Sequence, residues 1–161
     1  MVKKSFTHVD RVGKVRMVDV SKKRPTRRSA DASCVVLTTG DLNSLAHDWQ
    51  GMEPLHAARI AGIQAAKQTS TLIPLCHPLN LDDVHVEILP HDRGLSVTAS
   101  VVTIHHTGVE MEALTACTIA ALSLLNALLE IDPDASVQDV ALMRKSGGRS
   151  GDWGRLVSPG T

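Results

Sequence analysis

Apolar and polar positions along the chain change period several times, and each change marks an element. The first stretch is polar and basic, with one short strand-like run at residues 15–20. Residues 32–37, with Cys34, Val35 and Val36, predict a buried strand, punctuated by Thr38-Thr39-Gly40-Asp41. Pro54 suits the first turn of a helix, and Leu55, Ala58, Gly62 and Ala65, with Ile60 and Ile63, continue it at helical spacing to Lys67. Gly62 costs about 1 kcal/mol against Ala in a helix, so its presence predicts close packing there.

Two prolines, Pro74 and Pro78, exclude both a helix interior and a central strand for the segment that follows. Val84, Val86 and Ile88 alternate with His85 and Glu87, Arg93-Gly94 marks a turn, and residues 95–104 form a second strand, which together predict a hairpin. Thr107-Gly108-Val109-Glu110 has the spacing of a capping box and opens a long apolar helix that Asp132-Pro133 stops. Residues 137–143 supply a last strand before the loop Arg144-Lys145-Ser146-Gly147-Gly148-Arg149-Ser150-Gly151-Asp152. The order β-α-β-β-α-β predicts an α+β fold of the ferredoxin-like split βαβ type, an antiparallel sheet with both helices packed on one face. The chain divides into a flexible basic arm at 1–31, a ferredoxin-like domain at 32–144, and a Gly-rich basic loop and tail at 145–161.

Residues 113–129 carry no charge and approach the lower limit for a membrane span. Acids rather than basic residues flank the run, and Asn126 lies inside it, so it predicts a helix buried on most of its circumference and no membrane partner. A helix so apolar, and two helices so rich in Ala, also point to a homo-oligomer. The N-terminus has Lys3 and Lys4 but no apolar core of a secretory signal. Three cysteines, Cys34, Cys76 and Cys117, form no CxxC pair, which predicts a reducing, cytoplasmic setting. Lys+Arg and Asp+Glu number 17 each and aromatics are 2 %, so the chain lacks both the basic footprint and the stacking platform of a nucleic-acid binder.

Chemistry is concentrated in a few places. Cys76-His77 sits between the two prolines, which hold a proton-transferring imidazole in one backbone shape. Cys76 itself reads as a small packing residue. Glu110 and Glu112 open the long helix, and the 200° between such positions sends one of them toward a cavity if the other caps the helix. The loop from Arg144 joins cations to glycines that expose backbone N–H groups, a cradle for oxyanions that is not a P-loop. The run Lys22-Lys23-Arg24-Pro25-Thr26-Arg27-Arg28 reads as a solvated arm or as one that folds over an anionic ligand. His105-His106 could join His77 and Cys76 on a metal, but no HExxH and no paired cysteines support zinc, and no metal site is assigned.

Five strings stand in order: Met17-Val18-Asp19-Val20-Ser21; Ala58-Arg59-Ile60-Ala61-Gly62-Ile63-Gln64-Ala65-Ala66-Lys67; Leu72-Ile73-Pro74-Leu75-Cys76-His77-Pro78-Leu79; Thr107-Gly108-Val109-Glu110-Met111-Glu112-Ala113-Leu114-Thr115-Ala116; and Lys145-Ser146-Gly147-Gly148-Arg149-Ser150-Gly151. They resemble the MoaC family, the cyclic pyranopterin monophosphate synthases of molybdenum cofactor biosynthesis, over nearly the whole chain. The resemblance implies a hexamer, a trimer of dimers, with the active site at a subunit interface. It implies a phosphorylated GTP-derived substrate, 3′,8-cyclised dihydro-GTP, that is rearranged to cyclic pyranopterin monophosphate with loss of pyrophosphate. No metal or organic cofactor is implied. By position it makes His77, Glu110, Glu112 and Lys145 catalytic, and Cys76, Met111, Lys67, Lys23, Arg28 and Arg149 substrate-binding.

Three positions depart from the family pattern. Gly51 stands where the family has a lysine before its first helix, Asn126 where it has a catalytic aspartate, and Leu129 where it has a catalytic lysine. Asn is no carboxylate base, and Leu neither donates a proton nor pairs with phosphate. Losing an acid and a base together avoids an unpaired buried charge. The sequence therefore supports two expectations: a synthase with weakened chemistry, or a catalytically silent paralogue that binds a phosphorylated nucleotide or pterin or pairs with an active subunit.

Overall fold

The structure, a computed structural model, describes residues 8–10, 12–40, 54–148 and 151–156. Its elements are β1 (Thr26–Leu37), α1 (Pro54–Lys67), the single-turn α2 (Thr69–Leu72), β2 (Asp83–His91), β3 (Gly94–His105), α3 (Glu110–Leu128), β4 (Ser136–Ser146) and the short β5 (Trp153–Gly154). The strands form one antiparallel sheet in the order β2-β3-β1-β4-β5. This is the expected α+β arrangement, extended by β5 at one edge.

Alternation builds the core. Ala30, Ala32, Cys34 and Val36 on β1 and Leu95, Val97, Ala99 and Val101 on β3 point to the same face and are buried. Both helices cover that face. From α3 come Ala113, Ala116, Cys117, Ala120, Ala121, Leu124 and Leu128, all fully buried. Small side chains let α1 and α3 approach closely: a Cβ on Gly62 would stand 2.8 Å from the Ala116 carbonyl oxygen and 3.1 Å from the Ala120 Cβ. The packing expected at Gly62 is therefore present, and it excludes a larger residue.

Register decides where the chemistry gathers. Thr26 pairs with His105, Ser29 with Ser146 and Ala30 with Lys145. The start of β1 and the ends of β3 and β4 thus lie together, and α3 begins only a short loop after His105.

Several sequence expectations need correction. Residues 15–20 form no strand; Val15 makes an isolated bridge to Val9 and the chain continues irregularly. The strand expected from Ala32 starts earlier, at Thr26, and the last strand runs on to Ser146, so Lys145 is a strand residue. The capping box is not formed. Val109 occupies the N-cap position of α3 with no side-chain cap bond, because the Glu110 carboxylate turns to Lys145. By contrast, α3 is buried or half-buried around most of its circumference, as expected, and keeps one narrow exposed stripe that holds Met111, Leu122 and Asn126.

Candidate active site

A cleft of about 1080 Å³ opens at this junction, bounded by the basic arm, the proline loop, the start of α3 and the end of β4. The proline loop presents its residues through a tight turn. Cys76 N–H donates to the Ile73 carbonyl oxygen at 3.3 Å, with Pro74 and Leu75 between them. Pro74 suits the second position of such a turn, and Leu75 takes φ 70° at the third, as in a type II turn. A leucine there is strained by about 1–2 kcal/mol, and the strain sets the direction in which Cys76 and His77 enter the cleft. Burial, and secondarily the Glu112 charge, push the Cys76 thiol up, so it stays protonated at neutral pH.

The two acids at the start of α3 have separate environments, although both line the cleft. Glu112 is only 4 % exposed. Desolvation raises its carboxyl to about 7, with the Glu110 charge adding to the shift against a backbone hydrogen bond that opposes it. A carboxyl poised there can both give and take a proton at physiological pH. Glu110 instead pairs with Lys145, whose Nζ stands 2.9 Å from its Oε1. Met111, between them, also lines the cleft.

Cations line the same cleft. Lys22, Lys23 and Arg24 reach it from the arm, Arg28 from β1 and Lys145 from β4. The Arg28 Nε is buried with no hydrogen-bond partner among the described residues, and its Nη2 donates only a long 3.4 Å bond to the His106 carbonyl. Gly147 and Gly148 complete the lining at φ 91° and 80°. A Cβ on Gly147 would overlap the Arg27 carbonyl, and one on Gly148 would overlap the Arg28 guanidinium. Glycine at 147 is what lets the loop lie against the β1 backbone, while at 148 the positive φ favours glycine and the Arg28 side chain fills the space. The loop already shows how it takes an oxyanion: the Asp152 carboxylate accepts from the Gly147 N–H at 3.1 Å and from the Ser146 hydroxyl at 2.8 Å, beside the Arg28 guanidinium and Lys145.

The cleft brings together His77, Glu110, Glu112, Lys145, Cys76, Met111, Lys23 and Arg28. Lys67, at the exposed end of α1, is not among the lining residues. Arg149 and Gly51 lie outside the described residues. Asn126 and Leu129 are exposed at the far end of α3, and a rise of about 1.5 Å per residue puts Asn126 roughly 24 Å from Glu110 along the axis. Among the described residues, no three His, Cys, Asp or Glu side chains are grouped to hold a metal ion.

The sequence matches the MoaC family model over residues 17–148, a span that holds every lining residue of the cleft except His8. The chain belongs to the MoaC family. Its relatives include the cyclic pyranopterin monophosphate synthase of Streptomyces griseus, 46 % identical over 158 residues that cover 96 % of this chain and 89 % of the relative. The synthase of the same name from Streptomyces coelicolor is 45 % identical over 153 residues, covering 93 % and 89 %. That of a Nocardioides species is 46 % identical over 156 residues, covering 93 % and 95 %.

Within this MoaC cleft, residue patterns alone did not single out Ser29 or the role of His106. Ser29 carries no local motif, and only the register of β1 against β4 brings it to the cleft. His106 was legible as half of a histidine pair, but its partner, Lys23, is 83 residues away in sequence.

Proposed function

We propose that the protein is a cyclic pyranopterin monophosphate synthase, a cytoplasmic lyase that converts 3′,8-cyclised dihydro-GTP to cyclic pyranopterin monophosphate and pyrophosphate. The observation that carries this reading is the cleft itself, which gathers a buried carboxyl of pKa about 7, Glu112, and a group of cations in one space. In this reading Lys145, Arg28 and Lys23 hold the triphosphate and stabilise the departing pyrophosphate through charge-assisted hydrogen bonds. Glu112 and His77 move the protons that ring rearrangement requires. Glu110 holds the Lys145 ammonium against the substrate site rather than in solvent.

The assembly in this proposal is a homohexamer, a trimer of dimers, with each cleft completed at a subunit interface. The exposed apolar stripe of α3, including Leu122 and Leu129, supports it. The position of Asn126 and Leu129, too far along α3 to reach the cleft of their own subunit, supports it as well. With Asn and Leu at those positions the completed site lacks an acid and a lysine, so turnover is slower than in a relative that carries both. The same substitutions favour a second reading, a silent paralogue that binds the phosphorylated ligand without converting it.

Incubation of the purified protein with the cyclised intermediate, with mass detection of product, separates these readings. Formation of cyclic pyranopterin monophosphate and pyrophosphate is the result expected of a synthase. Binding without product is the result expected of the silent paralogue.

A further inference from the structure

We propose that His106 is a positioning residue that latches the basic arm of residues 22–24 across the cleft, through a hydrogen bond from its ring to the Lys23 carbonyl oxygen. The proposal rests on the reading of the cleft as an anion site. The His106 Nδ1 lies 2.6 Å from the Lys23 oxygen. A carbonyl oxygen can only accept, so Nδ1 carries the proton. The imidazole is itself held in place. The His105 ring meets it edge to face, with centroids 5.1 Å apart and an interplanar angle of 80°. The His106 backbone carbonyl accepts from Arg28, which ties the latch to the cation at the start of β1.

The arm needs such a tether. Residues 21–25 are exposed and β1 begins only at Thr26. The bond from Lys23 N–H to the Val20 carbonyl, 3.0 Å, bends the arm locally but does not fix it to the body of the protein. Yet Lys22, Lys23 and Arg24 all line the cleft. Three flexible cations that had to be ordered by the ligand would each lower its affinity; an arm already latched presents them in place. The latch therefore acts on ligand affinity and leaves the proton-transfer groups untouched. His105 supports it as a neutral ring, since burial, followed by the charges of His106, His77 and Arg28, holds its imidazole below the ordinary value.

Trypsin reads the arm directly, because Lys22 and Lys23 are cleavable and Arg24, before Pro25, is not. In the full chain without ligand, His106→Ala is expected to speed cleavage after Lys22 and Lys23 by about threefold to tenfold, the range for one lost hydrogen bond. His106→Asn, whose amide N–H replaces Nδ1–H, restores the parent rate. His106→Gln, whose amide reaches the Nε2 position instead, does not. The comparison of Asn with Gln holds even if the Ala variant folds poorly. In titrations with inorganic pyrophosphate the same order of variants is expected, with weaker binding for Ala and Gln, and with substrate the change falls on KM rather than kcat. Equal cleavage rates for all four proteins, or no difference between Asn and Gln, overturns the latch. Because the cleavage assay needs no turnover, it stands apart from the synthase reading: a protein that makes no product but shows the Asn–Gln difference has the latch and not the activity.

Discussion

Lys145 and Glu110 join the last long strand to the first turn of the long helix, with Nζ and Oε1 2.9 Å apart. The pair explains why the helix lacks its expected side-chain cap, and it fixes the lysine at the cleft. Each side chain is about one-third exposed (29 % and 31 %), so the pair contributes little to stability and acts chiefly on geometry.

Lys145→Ala is therefore expected to leave the melting temperature nearly unchanged. It should weaken pyrophosphate binding about tenfold or more, the loss of one charge-assisted contact of about 1.5–3 kcal/mol. Calorimetric titration measures the affinity, and unchanged binding would remove Lys145 from the anion site.

Glu112 links stability to pH. Its carboxyl titrates near 7 in the folded protein, against an ordinary value of 4.5. Between those values the folded state binds more protons than the unfolded state, so Glu112 lowers stability progressively as pH rises from 4.5 to about 7, and the penalty is complete above that. The shift corresponds to about 3 kcal/mol. Denaturant unfolding of Glu112→Gln should show little change below about pH 4.5 and a gain of up to about 3 kcal/mol at about pH 8, with loss of the activity limb near pH 7. Equal stability differences at both pH values would contradict the buried, unpaired carboxyl.

Much of this architecture was legible in the sequence. Pro54 and Lys67 bound the first helix as expected, and Arg93-Gly94 turns the hairpin. The start of the first strand was not legible, because Arg27 and Arg28 read as solvated charge. In the sheet, Arg28 falls on the same alternation as Ala30, Ala32, Cys34 and Val36, and its guanidinium ends in the cleft rather than in the core. The capping spacing at Thr107 and Glu110 misled for a related reason: a local pattern lost to a lysine from a distant strand. In the site, His77, Glu110, Glu112 and Lys145 could be placed by their strings, whereas the His106–Lys23 contact depends on folding and leaves no local trace.

Assembly is tested by light scattering on a sizing column. The parent protein should elute as a homohexamer, at about six times the 17.2 kDa chain. Leu122→Glu, on the exposed stripe of α3, should dissociate it, since a charge buried there has no partner. A stable monomer at micromolar concentration would refute the assembly.

The substitutions at the far end of α3 predict a gain of function. Gly51→Lys, Asn126→Asp and Leu129→Lys, made together, should raise turnover by about 10²-fold or more, the typical weight of an acid–base group. Leu129→Lys alone should not, because it adds a charge without its acid. An unchanged rate in the triple variant would show that these positions do not limit the chemistry.

The most direct test of the whole account is the rate of pyrophosphate release from 3′,8-cyclised dihydro-GTP at neutral pH, for the parent protein and for Glu112→Gln. The account predicts measurable release by the parent, with cyclic pyranopterin monophosphate formed in equal amount, and a rate at least about 10²-fold lower for the variant. Release that is absent in the parent, or equal in the two proteins, would contradict it.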